Sequence, residues 1–298
     1  MFPDSAVNDE GDLVHMALFA EMEPVSFEEA SQKKQWMMAM KEELHSIEKN
    51  GTWELTELPK GKKAISVKWV YKLKLKPDGE IAKFKARLVA KGFLQRPGLD
   101  YDEVFAPVAR IETVRLVIAL ASYHQWRMQQ MDVKSAFLNG PLTEEVYVMQ
   151  PRGFKVKGQE EKVYRLHKAL YGLKQAPRAW NKRIDAFLIQ KGFTKCTIEY
   201  GIYTRGKTID EMLIICLYVE DLLITGSSNE EINMFKEMMK SEFEMSDLGD
   251  LTYFLGMEFV KTEKGIFMHQ RKYILDVLKR FDMLDCNLTS IAVETGPI

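Results

Sequence analysis

Met212-Leu213-Ile214-Ile215-Cys216-Leu217-Tyr218-Val219-Glu220-Asp221-Leu222-Leu223-Ile224-Thr225 is the stretch on which the reading of this chain turns. Two apolar, β-rich runs, 212–219 and 222–225, are divided only by two carboxylates. The spacing predicts a tight hairpin with Glu220 and Asp221 at its tip. A third carboxylate interrupts an apolar stretch in the same way. It is Asp132, in Met131-Asp132-Val133-Lys134-Ser135-Ala136-Phe137-Leu138, near the end of a short strand expected over 127–133. Carboxylates in such surroundings are costly unless solvated, paired or metal-bound. The pair alone reads equally as an acidic turn in solvent. Three carboxylates on neighbouring strands, however, form the minimal cage for two Mg²⁺ ions of the kind that serve in-line phosphoryl displacement.

Upstream lies a second hairpin. Val67, Trp69, Tyr71, Leu73 and Leu75 alternate with Lys68, Val70, Lys72, Lys74 and Lys76. Pro77-Asp78-Gly79 supplies a turn, and Ala82, Phe84, Ala86, Leu88 and Ala90 then alternate with Lys83, Lys85, Arg87, Val89 and Lys91. Strict period two predicts paired strands with one apolar face and one nearly all-cationic face. Like charges facing one another repel, so a face of one sign points to phosphate binding, against the alternative of solvated lysines. A triphosphate-holding hairpin and a carboxylate cage together describe a nucleotidyl transferase.

The rest of the pattern is mixed. Helices are expected over 26–49, 112–126, 177–191 and 271–281, with another opened by a capping box at Ser228-Asn229-Glu230-Glu231. Strands are expected over 146–149, 163–166, 253–260 and 265–268. Hairpins and packed helices without regular βαβ alternation give an α+β class. The first twenty or so residues show no period and read as a disordered leader.

With 298 residues and 46% hydrophobic content, the chain can bury a core of one or two domains. No apolar run reaches the ~18 residues of a membrane span. The acidic N-terminus lacks a secretory pattern, and three distant cysteines (Cys196, Cys216, Cys286) form no disulfide framework or zinc knuckle. An intracellular location, cytoplasmic or nuclear, is expected. The net charge of −1 hides segregation: residues 1–59 carry 4 Lys/Arg against 13 Asp/Glu, 60–91 carry 11 against 2, and 152–191 carry 11 against 3. That distribution places a polyanion-binding surface on part of the molecule. There is no Walker-type glycine loop and no Ser–His or Cys–His arrangement. The five histidines are scattered and read as core or surface positions.

A set of collinear motifs resembles the reverse-transcriptase domain of copia-type LTR retrotransposon polyproteins. They are Trp69-Val70-Tyr71-Lys72, Lys85-Ala86-Arg87-Leu88-Val89-Ala90-Lys91-Gly92, Asp102-Glu103-Val104-Phe105-Ala106-Pro107-Val108 and Gln130-Met131-Asp132-Val133-Lys134-Ser135-Ala136-Phe137-Leu138-Asn139-Gly140. Leu170-Tyr171-Gly172-Leu173-Lys174-Gln175-Ala176-Pro177-Arg178-Ala179-Trp180, the 218–221 hairpin and Tyr253-Phe254-Leu255-Gly256-Met257 complete the series, which covers about 53–294 in family order.

The resemblance implies an RNA-directed DNA polymerase of right-hand fold, with fingers, an antiparallel palm sheet with packed helices, and a truncated thumb. It implies a flank over 1–49, the polymerase domain over 50–294 and a tail over 295–298. Asp132, Glu220 and Asp221 fall on the family's catalytic, metal-binding carboxylates, with Val133 beside them as a further metal ligand. The cofactor implied is two Mg²⁺ ions, with Mn²⁺ as an alternative. Lys85, Arg87, Phe137, Gly172 and Lys174 fall on nucleotide-binding positions, with Phe137 selecting deoxynucleotides. Leu255, Gly256 and Met257 fall on the primer grip. Phe137 also reads as a core aromatic, Gly172 as a turn glycine and 255–257 as a strand turn. The implied partners are a template with primer and dNTPs, and RNase H and integrase regions that this chain lacks.

The family pattern at the hairpin is Tyr-x-Asp-Asp, whereas this chain has Tyr218-Val219-Glu220-Asp221. Mg²⁺ demands near-ideal octahedral geometry, so the added methylene is expected to impair catalysis. A non-catalytic nucleic-acid-binding remnant of a decayed element is the alternative.

Overall fold

A computed structural model describes residues 23–75, 80–263 and 265–286. The expected leader, the Pro77-Asp78-Gly79 turn and residues 287–298 lie outside the described residues. The described residues form two compact units, 23–251 and 252–286.

In the larger unit, Ser26 caps helix α1 (Phe27–Ser31), its side chain accepting from Glu29 N. After a break at Gln32 and Lys33 comes α2 (Lys34–Lys49), which buries Trp36, Ala39, Met40, Glu43 and Ile47. Strand β1 (Trp53–Thr56) follows. The cationic hairpin is β2 (Val67–Leu75) with β3 (Ile81–Ala90), a separate two-stranded sheet. Its register sets Lys72 opposite Lys85, Lys74 opposite Lys83 and Val70 opposite Arg87, with Tyr71, Leu73, Ala86 and Leu88 buried on the other face. That apolar face packs on α2, where Trp36 meets Tyr71 and Phe84 edge-on at 5.4 and 4.9 Å.

Helix α3 (Ile111–Tyr123) buries Val114, Val117, Ile118 and Ala121, the face the periodicity predicts. It stops before Trp126, with Gln125 at φ 57. Strand β4 (Arg127–Val133) leads through a short 3₁₀ turn (Ala136–Asn139) into β5 (Pro141–Met149) and β6 (Val163–Lys168). Strands β1, β6 and β5 form a three-stranded antiparallel sheet in that order. Helix α4 (Ala176–Gln190), with Pro177 in its first turn, precedes β7 (Thr194–Lys195), β8 (Ile202–Arg205), β9 (Leu213–Tyr218) and β10 (Asp221–Gly226).

Helix α5 (Asn229–Glu242) is capped by Ser228, whose hydroxyl accepts from Glu231 N at 3.2 Å. Only half of the expected capping box forms, because the Glu231 carboxylate is taken by Arg205 at 2.5 Å. Strand β11 (Met245–Asp250) closes the unit. Six antiparallel strands order as β11-β4-β10-β9-β8-β7. One face of the sheet carries the main core, in which Met131, Val133, Leu217, Leu222 and Ile224 pack with Trp180, Ile184, Phe187, Phe235 and Met239 of α4 and α5. These are the antiparallel sheets and packed helices of an α+β fold.

In the smaller unit, β12 (Tyr253–Phe254), β13 (Met257–Thr262) and β14 (Gly265–His269) form an antiparallel meander followed by α6 (Arg271–Arg280). Among its described residues, Phe254, Met257 and Phe259 are buried.

Candidate active site

The register of the six-stranded sheet assembles the carboxylates. Asp132 near the end of β4 is the Cα partner of Asp221 at the start of β10, and Asp221 also pairs with Tyr218 across the hairpin. The turn residues are therefore Val219 and Glu220, which corrects the expectation of two carboxylates at the tip: Glu220 lies in the turn, and Asp221 opens the strand. The turn is tied to its surroundings by its own backbone. Val133 N donates to Glu220 O at 2.9 Å, and Trp180 Nε1 donates to Val219 O at 2.7 Å.

All three carboxylates are half-buried, and none forms an ion pair with a described residue. Each is harder to ionise than usual, with burial as the main cause. For Asp221, the charges of Asp132 and Glu220 add to burial and push the carboxyl up to about 6, against a hydrogen bond from the Gln130 side chain. Lys85, Arg87 and Lys74 offset the shifts at Asp132 and Glu220, so the cations of β2 and β3 act directly on this cluster. Lys85 is itself pushed down, by burial first and then by Arg87, while Glu220 opposes. Mutually raised acid groups beside cations make a site that gains from a bound divalent cation or a phosphate.

Among the described residues, no group of three or more His, Cys, Asp or Glu side chains is placed to hold a metal ion. The donor set nevertheless suits Mg²⁺, which takes one or two carboxylates and completes its shell with water and substrate phosphate. Asp132 and Asp221 in register, with Glu220 from the turn, would be those carboxylates. The side chain of Val133 is buried in the core beneath them.

The expected nucleotide positions divide. Lys85 and Arg87 meet the carboxylate cluster electrostatically, and Arg87 lies over the Tyr171 ring at 4.5 Å. Phe137 is half-buried with its ring 4.9 Å from Tyr171, so it joins the site and also packs against both cores. Gly172 is a turn glycine: its φ is 88, and a Cβ there would stand 2.2 Å from Ala90 O. It lets this turn approach β3, where Ala90 N donates to Tyr171 O at 2.7 Å. The Lys174 ammonium is engaged by Tyr101, donating to its hydroxyl at 3.1 Å and lying 4.8 Å from its ring centre. In the smaller unit, Leu255 and Gly256 are the turn of the β12–β13 hairpin at φ 50 and 82, followed by Met257.

Sequence reasoning missed Tyr171, Lys74's action on the cluster, Gln130 and Trp180. It also missed the buried amide pair Gln95 and Gln175, whose side chains bond at 2.9 Å while Gln95 Oε1 accepts from Lys174 N. The signal for most of them was an uncharged polar or aromatic residue inside one of the collinear motifs.

Comparison with known proteins accords with this geometry. The reverse transcriptase (RNA-dependent DNA polymerase) family matches residues 50–295. The Retrovirus-related Pol polyprotein from transposon TNT 1-94 of Nicotiana tabacum is 42% identical over 266 residues, 88% of this chain and 20% of that protein. The corresponding polyprotein from transposon RE2 of Arabidopsis thaliana is 38% identical over 94% of this chain and 19% of its own length. The Ty1-DR4 Gag-Pol polyprotein of Saccharomyces cerevisiae is 28% identical over 80% of the chain and 15% of its own length. The chain thus spans about a fifth of the plant polyproteins it matches. By family match, identity and motif order, the chain belongs to the reverse transcriptases of copia-type retrotransposons.

Proposed function

We propose that this chain is an RNA-directed DNA polymerase domain of right-hand arrangement, spanning 50–294 after an N-terminal flank, whose activity is lowered by Glu220. One observation carries the reading. The sheet register sets Asp132 against Asp221 beside Glu220, and Lys85 and Arg87 of a separate hairpin act on that cluster.

In this reading Asp132, Asp221, Glu220 and the Val133 backbone carbonyl would hold two Mg²⁺ ions, with Mn²⁺ able to replace them. When bound, the ions neutralise the attacking and leaving oxygens of an in-line displacement. Lys85 and Arg87 bind the triphosphate of the incoming dNTP. Tyr171 orients Arg87 by stacking beneath it. Phe137, packed against the same ring, lies against the sugar and excludes a 2′-hydroxyl. Gly172 and Lys174 shape the wall behind the nucleotide through the backbone. Leu255, Gly256 and Met257 grip the primer, and the template strand follows the cationic hairpin.

Glu220 carries one methylene more than the aspartate of the family pattern. A displacement of about 1 Å at a positioned group costs ~10²-fold in rate. The second reading, a nucleic-acid-binding remnant without catalysis, rests on this same residue. Primer extension on an RNA template with dNTPs and Mg²⁺, run beside filter binding, separates the two. Weak extension by the native chain, a gain of about tenfold or more in Glu220→Asp and loss in Asp132→Ala support the polymerase. Binding with no extension by either the native chain or Glu220→Asp supports the remnant.

A further inference from the structure

Trp180 has no part in the metal, nucleotide or primer assignments, yet its indole reaches the backbone of the carboxylate turn. It is 1% exposed, and Nε1 donates to Val219 O at 2.7 Å. Val219 holds φ 55, in the left-handed region where a β-branched side chain is strained. Glycine, asparagine and aspartate are the usual first residues of a two-residue hairpin turn that needs a positive φ there. Such a conformation persists only where its surroundings over-determine it.

Two elements do so here. Trp180 of α4 holds the Val219 carbonyl, and Val133 of β4 holds the Glu220 carbonyl at 2.9 Å. Trp180 is itself fixed. Its ring stands edge-on to Phe243 at 5.3 Å, and its backbone is so close to the turn after Asp132 that a Cβ on Gly140 would lie 2.5 Å from Trp180 N. One residue therefore joins the two segments: its backbone abuts the segment after Asp132, and its indole holds the turn that carries Glu220 and leads into Asp221.

We propose that Trp180 is a positioning residue whose N–H holds Val219 in its left-handed conformation and so sets Glu220 and Asp221 against Asp132. The hold on the turn stands on the geometry alone, while its consequence for catalysis rests on the polymerase reading. Trp180→Phe keeps a ring and removes the donor. The turn then relaxes and moves the carbonyl that accepts from Val133.

Amide hydrogen exchange followed by NMR in the full chain reads this directly. Trp180→Phe should speed exchange at Val133 about tenfold or more, while Ile215 and Ile224, deeper in the same sheet, change less than about twofold. Val219→Gly removes the strain that the clamp opposes. In that background the same substitution should change Val133 exchange less than about threefold. Loss of packing alone would speed all three amides together in both backgrounds. The idea is overturned by that outcome, by an unchanged Val133, or by equal effects in the two backgrounds.

Primer extension in a Glu220→Asp background tests the consequence. Trp180→Phe should lower kcat about tenfold with KM for dNTP within about twofold. An unchanged kcat overturns the catalytic consequence. No extension by the Glu220→Asp parent overturns the polymerase reading, while the amide measurement still decides the hold on the turn.

Discussion

Asp221 ties its own ionisation to folding. Its carboxyl is raised from 3.8 to about 6 by burial and by Asp132 and Glu220. The folded state thus binds this proton more tightly than the unfolded chain does. Stability from this group is complete below the unfolded pKa and is lost as pH rises through about 6. Asp221→Asn, which stays neutral, should stabilise the metal-free chain at pH 7.5 by on the order of 2 kcal/mol after allowance for partial exposure. The difference should vanish below about pH 4. Urea denaturation with a chelator present, repeated across pH, checks this. A gain independent of pH would mean that the raised acidity is not the cause.

At the scale of elements, the cationic hairpin is not uniformly free. Lys72 pairs with Glu23 at 3.4 Å and Lys83 with Glu42 at 2.9 Å, so the acidic flank covers part of the face. Lys74, Lys85 and Arg87 act instead on the carboxylates. Lys74→Ala and Lys85→Ala should each shallow the salt dependence of template binding by about one unit, and Lys83→Ala by less. Equal effects at all three positions would restore the picture of an undifferentiated surface.

This hairpin was readable because near-strict alternation over nine or ten residues favours the register that gathers Tyr71, Leu73, Ala86 and Leu88 on one buried face. The β9–β10 hairpin was readable for the same reason of local pattern. By contrast, β11 (Met-Ser-Asp-Leu-Gly-Asp) has no apolar period, lies at the sheet edge and carries a bulge between Asp247 and Gly249. It becomes a strand only because β4 offers it a partner. The Asp132–Asp221 pairing joins residues 89 positions apart, and no local pattern encodes such a register. Trp180 and Tyr171 went unassigned because an indole donor or a stacking ring gains its role only from what folding brings beside it.

Helix α2 shows how far the flank is bound into the site's support. Trp36 is fully buried against Tyr71 and Phe84, beneath the strands that carry Lys74, Lys85 and Arg87. Trp36→Ala should cost about 3–5 kcal/mol, read by urea denaturation. A loss below about 1 kcal/mol would show that the flank does not share the hairpin's core.

Over the whole molecule, the proposed roles divide between the two compact units. Asp132, Glu220, Asp221, Lys85, Arg87 and Phe137 all lie before Leu251, within a unit that has its own six-stranded sheet and core. Leu255, Gly256 and Met257 lie after it, in the meander around Phe254 and Phe259. If that turn grips the primer, binding of the nucleotide and use of the primer must be separable by cutting the chain. A chain ending at Leu251 should unfold cooperatively, because the strand that closes its sheet is complete and Leu251 N still donates to Met128 O at 3.1 Å. In the Glu220→Asp background it should bind a dNTP with Mg²⁺ within about threefold of the longer chain. It should extend a primer about 10²-fold more slowly, because an unpositioned attacking hydroxyl forfeits orientation. Calorimetry, dNTP titration and single-turnover extension make the three readings. Undiminished extension would remove 255–257 from the primer role, and loss of cooperative unfolding would show that the first unit depends on the second.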